Sequence, residues 1–184
     1  MNRRDIPNLI TFLRLLLIVP IVWYFNLRAY GIVLILFVTA GASDALDGYL
    51  ARRNQWTSHL GGWLDPLADK AMLVTVYILL AWHTLIPPWL LIAVIVRDLV
   101  ILSGGLLYYF MIERVSAAPR LLSKFNTLMQ IVLVVIILVG QSVWQMPQHW
   151  TDILVHTVLL TTVLSGLDYV ITWSLKAKKA KRYE

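Results

Sequence analysis

The chain has 184 residues, of which 59% are hydrophobic and 14% are charged, and its formal net charge is +6. Soluble domains carry about 25% charged residues, so this composition excludes an ordinary soluble globular fold and predicts a single membrane domain over residues 1–184. The sequence contains no cysteine, which excludes disulfide bonds and thiol chemistry.

Six apolar runs follow one another along the chain, and each approaches the ~20 residues that a helix needs to cross a bilayer. They cover residues 9–27, 29–53, 61–82, 88–112, 121–141 and 150–175. The runs predict an all-α integral membrane protein with six transmembrane helices. Residues 1–14 mix charged and apolar side chains and predict a short N-terminal interfacial segment. Arg14 interrupts the first run and no small-residue cleavage site follows, which favours a retained first helix over a signal peptide.

Basic residues are concentrated in alternate connections between these runs. Six spans place both chain ends on one side of the membrane. That side holds most of the sixteen Lys and Arg residues, namely Arg3, Arg4, Arg52, Arg53, Arg114, Arg120, Lys124, Lys176, Lys178, Lys179, Lys181 and Arg182. The opposite loops hold Arg28, so the positive-inside rule places both termini in the cytoplasm. The basic segment 176–182 is typical of a tether to anionic lipid, and an ordinary topology signal explains it as well.

Residues 43–70, SDALDGYLARRNQWTSHLGGWLDPLADK, hold four of the ten acidic residues. These are Asp44, Asp47, Asp65 and Asp69, and both flanking segments are strongly apolar. A carboxylate inside an apolar helix is costly, and it usually pairs, binds a cation or faces a wet cavity. The spacings i,i+3 and i,i+4 put each pair on one face of a helix, with a polar turn between the two helices.

The depths of the two acidic pairs match. At ~1.5 Å per residue, Asp47 and Asp44 lie roughly 8 and 12 Å below Arg52, which marks the water end of its helix. Asp65 and Asp69 lie roughly 6 and 12 Å inside the following helix. Two facing helices would present four carboxylates to one small volume that opens to the cytoplasm. Such oxygen ligands suit two Mg²⁺ or Mn²⁺ ions that assist phosphoryl displacement. The alternative is four acids that serve as ion-pair partners in a helical bundle.

The spacing of the fixed residues is D-x2-D-G-x2-A-R-x8-G-x3-D-x3-D. They are Asp44, Asp47, Gly48, Ala51, Arg52, Gly61, Asp65 and Asp69. The pattern resembles the signature of the CDP-alcohol phosphatidyltransferase family at every fixed position. The resemblance implies an enzyme of phospholipid biosynthesis, in which an acceptor hydroxyl attacks the phosphorus of CDP-diacylglycerol and CMP leaves. It also implies that Asp69 is the general base in addition to a metal ligand; metal binding alone is the alternative.

Five residues are candidates for binding the cytidine nucleotide. Gly48 and Ala51 leave a flat surface on which a nucleotide can lie, and Arg52 can reach a phosphate or the base. Gly61 lets the next helix begin close to the ligand, and Asn8 resembles the first-helix entrance of the family. Small residues also serve helix packing in membranes, and Asn8 is equally a candidate helix cap.

Cations near the cytoplasmic ends of later helices are candidates for an acceptor pocket. Arg97, Arg120 and Lys124 suit an anionic acceptor. For Arg97 the alternative is a local ion pair with Asp98. For Arg120 and Lys124 the alternative is plain topology signalling.

The acceptor itself is inferred from the later segments. Residues 95–105 and 123–130 resemble the CMP-forming cardiolipin synthases of the family. Phosphatidylglycerophosphate synthases, a neighbouring group, usually carry a second Lys where Asn126 stands. One fewer cation weakens the case for a dianion such as glycerol 3-phosphate, which is the alternative. The favoured acceptor is phosphatidylglycerol, with Asn126 binding its glycerol hydroxyls.

Two other classes of protein are alternatives to this enzyme. Intramembrane carboxylates also mark ion-coupled transporters, which usually place them near the midplane and often show inverted repeats. A scaffold without activity predicts the loss of a motif residue, and none is lost. The resemblance further implies a homodimer, for which Gly104 and Gly105 offer a close-packing surface. We expect a location in a bacterial inner membrane and no nucleic-acid partner.

Overall fold

A computed structural model describes the backbone of residues 6–54, 61–111, 121–144 and 147–180. Side chains are described for residues 12–43, 68–104, 121–144 and 147–174. The described stretches form six helices, which are α1 (Ile6–Asn26), α2 (Tyr30–Asn54), α3 (Gly61–Trp82), α4 (Pro88–Met111), α5 (Leu121–Ser142) and α6 (Gln148–Ala180). Every regular element in these described stretches is an α-helix, so the prediction of an all-α protein is confirmed.

The observed helices follow the predicted apolar runs closely. The third helix has the predicted bounds, Gly61–Trp82, and α6 continues several residues beyond the predicted end to Ala180. Residues 6–14 belong to α1 without a break. The described part of the predicted interfacial segment is therefore the beginning of α1, and residues 1–5 lie outside the described part.

The turn between α1 and α2 is closed by a backbone motif that ends the first helix. Arg28 has a φ of 57°, its N–H donates to the Phe25 carbonyl at 2.9 Å, and the Ala29 N–H donates to the Tyr24 carbonyl at 3.0 Å. These two bonds form a Schellman motif, in which a left-handed residue satisfies the last carbonyls of a helix. Thr84, after α3, is also left-handed, with a φ of 58°.

The first of two compact units comprises Met1–His83 and Val134–Met146. In it α1 packs against both α2 and α3. Its buried apolar side chains recur every three or four residues, as expected for the packed face of a helix. They are Ile21, Phe25, Val33, Phe37, Ala40, Ala68, Met72, Leu73, Val76, Tyr77, Leu79, Leu80, Val134, Ile137 and Leu138.

The second unit comprises Thr84–Leu133 and Pro147–Glu184, and in it α4 packs against α6. Its buried apolar side chains are Ile86, Leu90, Val94, Leu133, Val155, Val158 and Tyr169. It also buries a set of polar side chains, namely Arg97, Asp98, Asn126, Gln130, Thr162 and Ser165. The second unit therefore has a mixed interior, and the prediction of one domain over the whole chain stays a prediction.

The outward faces of the helices are apolar. Val19 and Leu160, for example, are 68% and 60% exposed. Among the residues with described side chains, Leu121–Ser142 and Gln148–Ser174 are long and apolar enough to cross a membrane. Only 33% and 28% of the most apolar stretch of each is buried, whereas the core helix of a soluble protein is mostly buried. These faces are suited to contact with lipid.

Candidate donor and acceptor sites

The four aspartates of the motif lie on two uninterrupted helices. Asp44 and Asp47 are part of α2, and Asp65 and Asp69 are part of α3. The helical backbone fixes each pair within about one turn, since a turn takes 3.6 residues. The side chains of Asp44, Asp47 and Asp65 lie outside the described residues, whereas that of Asp69 is described.

Asp69 forms an ion pair with a residue that the sequence did not suggest for the site. Nη1 of Arg14, on α1, donates a hydrogen bond to Oδ1 of Asp69. The side chain of Arg14 is 3% exposed and that of Asp69 is 45% exposed. Arg14 therefore approaches the carboxylate from the packed interior of the first unit, and the carboxylate keeps an open side.

The donor set of the motif fits a hard divalent cation. It consists of carboxylates, which are the ligands that Mg²⁺ and Mn²⁺ prefer. Nearly half of the Asp69 side-chain surface is open although Arg14 holds one of its oxygens. Asp69 can therefore offer an oxygen to a metal ion or accept a proton while it keeps this contact.

The predicted nucleotide residues are placed by their backbone only. Asn8 lies in the first turn of α1, and Gly48, Ala51 and Arg52 lie in the last turns of α2. Gly61 is the first residue of α3, as its proposed function at the start of that helix requires. Their side chains are outside the described part of the chain, so their roles stay predictions.

The predicted acceptor residues differ in their environments. Lys124 is exposed near the start of α5. Arg97 is 5% exposed and Asn126 is fully buried, and both belong to the second unit. Arg120 lies outside the described residues. Arg97 and Asn126 each bond to α6, which the sequence reading did not include in the acceptor pocket.

The guanidinium of Arg97 is held by three neighbours. Nη1 donates to Asp98 Oδ1 at 2.7 Å, and Nη2 donates to Ser123 Oγ at 2.5 Å and to Ser165 Oγ at 2.7 Å. Nε donates to the same Ser165 oxygen at 3.3 Å. An arginine has five N–H groups, so most of its donor capacity is used inside the protein.

Among the described residues, hydrogen-bond partners hold the oxygen of the Asn126 amide and not its nitrogen. Its Oδ1 accepts hydrogen bonds from Thr161 Oγ1 at 2.8 Å and Thr162 Oγ1 at 2.9 Å. Its Nδ2 is buried and has no hydrogen-bond partner among the described residues. A buried amide nitrogen without a partner is costly, so this group is suited to a ligand or a water molecule.

Sequence reasoning missed the α6 side of this arrangement. Thr161, Thr162 and Ser165 lie in the apolar stretch of α6, where hydroxyl groups usually bond to the backbone of their own helix. Thr157 does so, since its Oγ1 donates to the Ile153 carbonyl. The available signal was the spacing of three to four residues, which puts the polar residues of α6 on one face.

Known proteins that are similar to this chain belong to the family that the aspartate motif indicates. A family-wide sequence model described as CDP-alcohol phosphatidyltransferase matches residues 4–171. A probable cardiolipin synthase (CMP-forming) of Drosophila melanogaster is 33% identical in a match that covers 92% of this chain and 58% of that protein. A chloroplastic CDP-diacylglycerol–glycerol-3-phosphate 3-phosphatidyltransferase of Oryza sativa subsp. japonica is 34% identical in a match that covers 82% of this chain and 50% of that protein.

The match covers a larger share of a bacterial relative than of these two proteins. The CDP-diacylglycerol–glycerol-3-phosphate 3-phosphatidyltransferase of Bacillus subtilis is 32% identical over 136 residues, which cover 73% of this chain and 69% of that protein. The match to the first two relatives spans only 58% and 50% of their lengths. Relatives with both kinds of name match at similar identity, so the names alone do not select an acceptor.

Proposed function

Because this chain belongs to the CDP-alcohol phosphatidyltransferase family, we propose that it transfers a phosphatidyl group from CDP-diacylglycerol to a glycerol-type acceptor and releases CMP. The observation that carries this proposal is the complete motif from Asp44 to Asp69, with its acids on the two helices α2 and α3. Family membership together with this intact motif favours an enzyme over an ion-coupled transporter or an inactive scaffold.

The reaction exchanges one phosphoester bond for another. The oxygen of the acceptor hydroxyl attacks the phosphorus that bears diacylglycerol, and a new P–O bond forms. The bond from that phosphorus to the bridging oxygen of the pyrophosphate breaks, and the electron pair leaves with CMP. The proton of the hydroxyl passes to the carboxylate of Asp69, whose open side makes it accessible to a substrate.

The four motif aspartates would hold two Mg²⁺ or Mn²⁺ ions, and Asp69 would combine that role with its role as base. When bound, the ions supply positive charge that offsets the pyrophosphate and stabilises the leaving CMP. Asn8, Gly48, Ala51, Arg52 and Gly61 would bind the cytidine nucleotide. Their place near the ends of α1, α2 and α3 supports this assignment.

Phosphatidylglycerol is the acceptor that the second unit supports best. Arg97 donates hydrogen bonds to Asp98, Ser123 and Ser165 with most of its N–H groups. Few N–H groups therefore remain to bind a dianion. The buried Nδ2 of Asn126 is a neutral donor that suits a glycerol hydroxyl. Lys124, which is exposed, and Arg120 would supply charge for a single phosphodiester.

Glycerol 3-phosphate is the second candidate acceptor. The observation that favours it is the similarity to the glycerol-3-phosphate 3-phosphatidyltransferase of Bacillus subtilis, of which the match covers the larger share. The donor chemistry at Asp69 is the same for both acceptors.

The membrane arrangement follows from the same proposal. The six helices would all span the bilayer as one domain, with both termini and the motif aspartates on the cytoplasmic side of a bacterial inner membrane. The exposed apolar faces support membrane spans, and the distribution of basic residues supports the orientation. The active form would be a homodimer, as the family resemblance implies.

The test is a reaction with purified protein and labelled CDP-diacylglycerol, given each acceptor separately. We expect release of CMP with phosphatidylglycerol and formation of cardiolipin. Phosphatidylglycerophosphate in place of cardiolipin would reassign the acceptor and leave the donor chemistry intact. Absence of CMP release with either acceptor would overturn the proposed activity.

A further inference from the structure

Arg14 is a buried cation to which the proposed reaction assigns no role. It is the one charged residue in the sequence of α1, Ile6–Asn26, and its side chain is 3% exposed. A guanidinium can be buried among apolar side chains only where a partner offsets its charge. In this chain a partner is Asp69, which lies 55 residues later on α3.

The contact is asymmetric in a way that suits support of a functional group. Arg14 is enclosed, whereas Asp69 is 45% exposed, so the arginine is the fixed member of the pair. It binds Oδ1 from the packed side. Rotation of the carboxylate about its terminal bond would break this hydrogen bond, so the contact fixes the direction in which the open side of the carboxylate points.

We propose that Arg14 is a positioning residue for Asp69, which it orients toward the bound divalent cation and the acceptor hydroxyl; this rests on the function proposed above. Helix α1 packs against both α2 and α3, the two helices that carry the aspartates. Residues that form hydrogen bonds to metal ligands typically contribute 10–100-fold to metal affinity or activity.

The first experiment compares Arg14→Met with Arg14→Lys in purified protein. Arg14→Met should lower kcat for CMP release by about 100-fold and weaken Mn²⁺ binding, followed by electron paramagnetic resonance, by about tenfold. The KM for CDP-diacylglycerol should change by less than about threefold, because Arg14 is not assigned to the nucleotide. Arg14→Lys keeps the charge without the planar fork, so it should recover about tenfold of the lost kcat.

The matched control is Arg28→Met, which makes the same substitution in the exposed turn between α1 and α2. It should leave both kcat and Mn²⁺ binding unchanged. Equal losses at Arg14 and Arg28 would show a general effect of removing charge and would overturn the proposal.

The second experiment measures stability, independently of activity. Thermal unfolding in detergent is compared for Arg14→Met, Asp69→Asn and the double variant. Asp69→Asn should lower the midpoint more than Arg14→Met does, because it removes a counter-charge from a buried guanidinium, whereas Arg14→Met leaves a carboxylate that is partly exposed. The double variant should be more stable than the sum of the two losses predicts.

Each of the following results would overturn the positioning role. Additive stability losses would show that the two side chains are not coupled. Normal kcat in Arg14→Met, or tighter Mn²⁺ binding, would show that Arg14 only occupies the carboxylate when metal is absent. No recovery in Arg14→Lys would reduce Arg14 to a packing residue. A wild-type protein that releases no CMP would instead refute the proposed function, and the Mn²⁺ and unfolding measurements would still decide the role of Arg14.

Discussion

Gly104 on α4 lies directly against the indole ring of Trp173 on α6. A Cβ atom at Gly104 would overlap Cζ3 and Cε3 of that ring and would lie 3.0 Å from Cη2. The contact is formed within one chain, in the second unit. Gly104 therefore serves the close packing of α4 on α6, and it does not itself support the proposed homodimer.

We predict that Gly104→Ala destabilises the protein by about 1–3 kcal/mol, because a methyl group must displace a bulky ring in a packed contact. The measurement is unfolding in detergent. Gly41→Ala on α2 is the control, since no atom lies within 4 Å of a Cβ built there, and it should stabilise the helix by up to about 1 kcal/mol. If Gly104→Ala were as stable as the wild type, the indole would have to move freely.

The interior pair in the second unit gives another stability prediction. Arg97 and Asp98 are both buried and joined at 2.7 Å, so Asp98→Asn should cost about 3 kcal/mol by leaving a buried cation without its counter-charge. Asp152→Asn, an exposed acid on the same unit, should change stability by less than about 0.5 kcal/mol. Equal effects of the two substitutions would contradict the predicted contribution of the buried ion pair to stability. The comparison needs only unfolding curves.

The sequence predicted the helices well because each is marked by composition alone. The run 61–82 became α3 with the same bounds, since the mostly polar residues before Gly61 in the sequence, and the loop after Trp82, interrupt the apolar pattern. Pairing between helices is different. Arg14 had several acids as possible partners, and nothing in a linear sequence selects Asp69 from them.

The sequence likewise could not predict which polar side chains are buried together. Arg97 was correctly singled out as an unusual residue, and a local ion pair with Asp98 was named as the alternative to acceptor binding. The structure contains that ion pair. The two serines that complete the set, Ser123 and Ser165, come from α5 and α6. Their approach depends on tertiary packing, which hydrophobic periodicity does not specify.

The metal requirement is tested at the motif itself. Asp44→Asn, Asp47→Asn or Asp65→Asn should each lower CMP release by at least about 100-fold, because each removes an anionic ligand. A chelator should abolish the activity of the wild type, and Mg²⁺ or Mn²⁺ should restore it. Full turnover in excess chelator would exclude the proposed metal site. Asp152→Asn again serves as the control for loss of an acidic charge.

The last prediction concerns the choice of acceptor at Asn126. Its Oδ1 is fixed by Thr161 and Thr162, and its Nδ2 is buried without a partner among the residues described. We predict that Asn126→Ala raises the KM for phosphatidylglycerol by about tenfold, the value of one lost hydrogen bond, with the KM for CDP-diacylglycerol unchanged. Thr127→Val is the control, because that hydroxyl bonds to the Ser123 carbonyl of its own helix.

The same position tests selectivity in the opposite direction. Asn126→Lys adds a cation where a dianion would need one, so the ratio of glycerol 3-phosphate to phosphatidylglycerol use should rise by about tenfold or more. Products are resolved from a reaction that contains both acceptors. Mn²⁺ binding and unfolding measured on the same preparation separate a change of selectivity from misfolding of a buried lysine. A folded variant with the product ratio of the wild type would place the acceptor away from Asn126, and the unpartnered amide would then be explained by a bound water molecule.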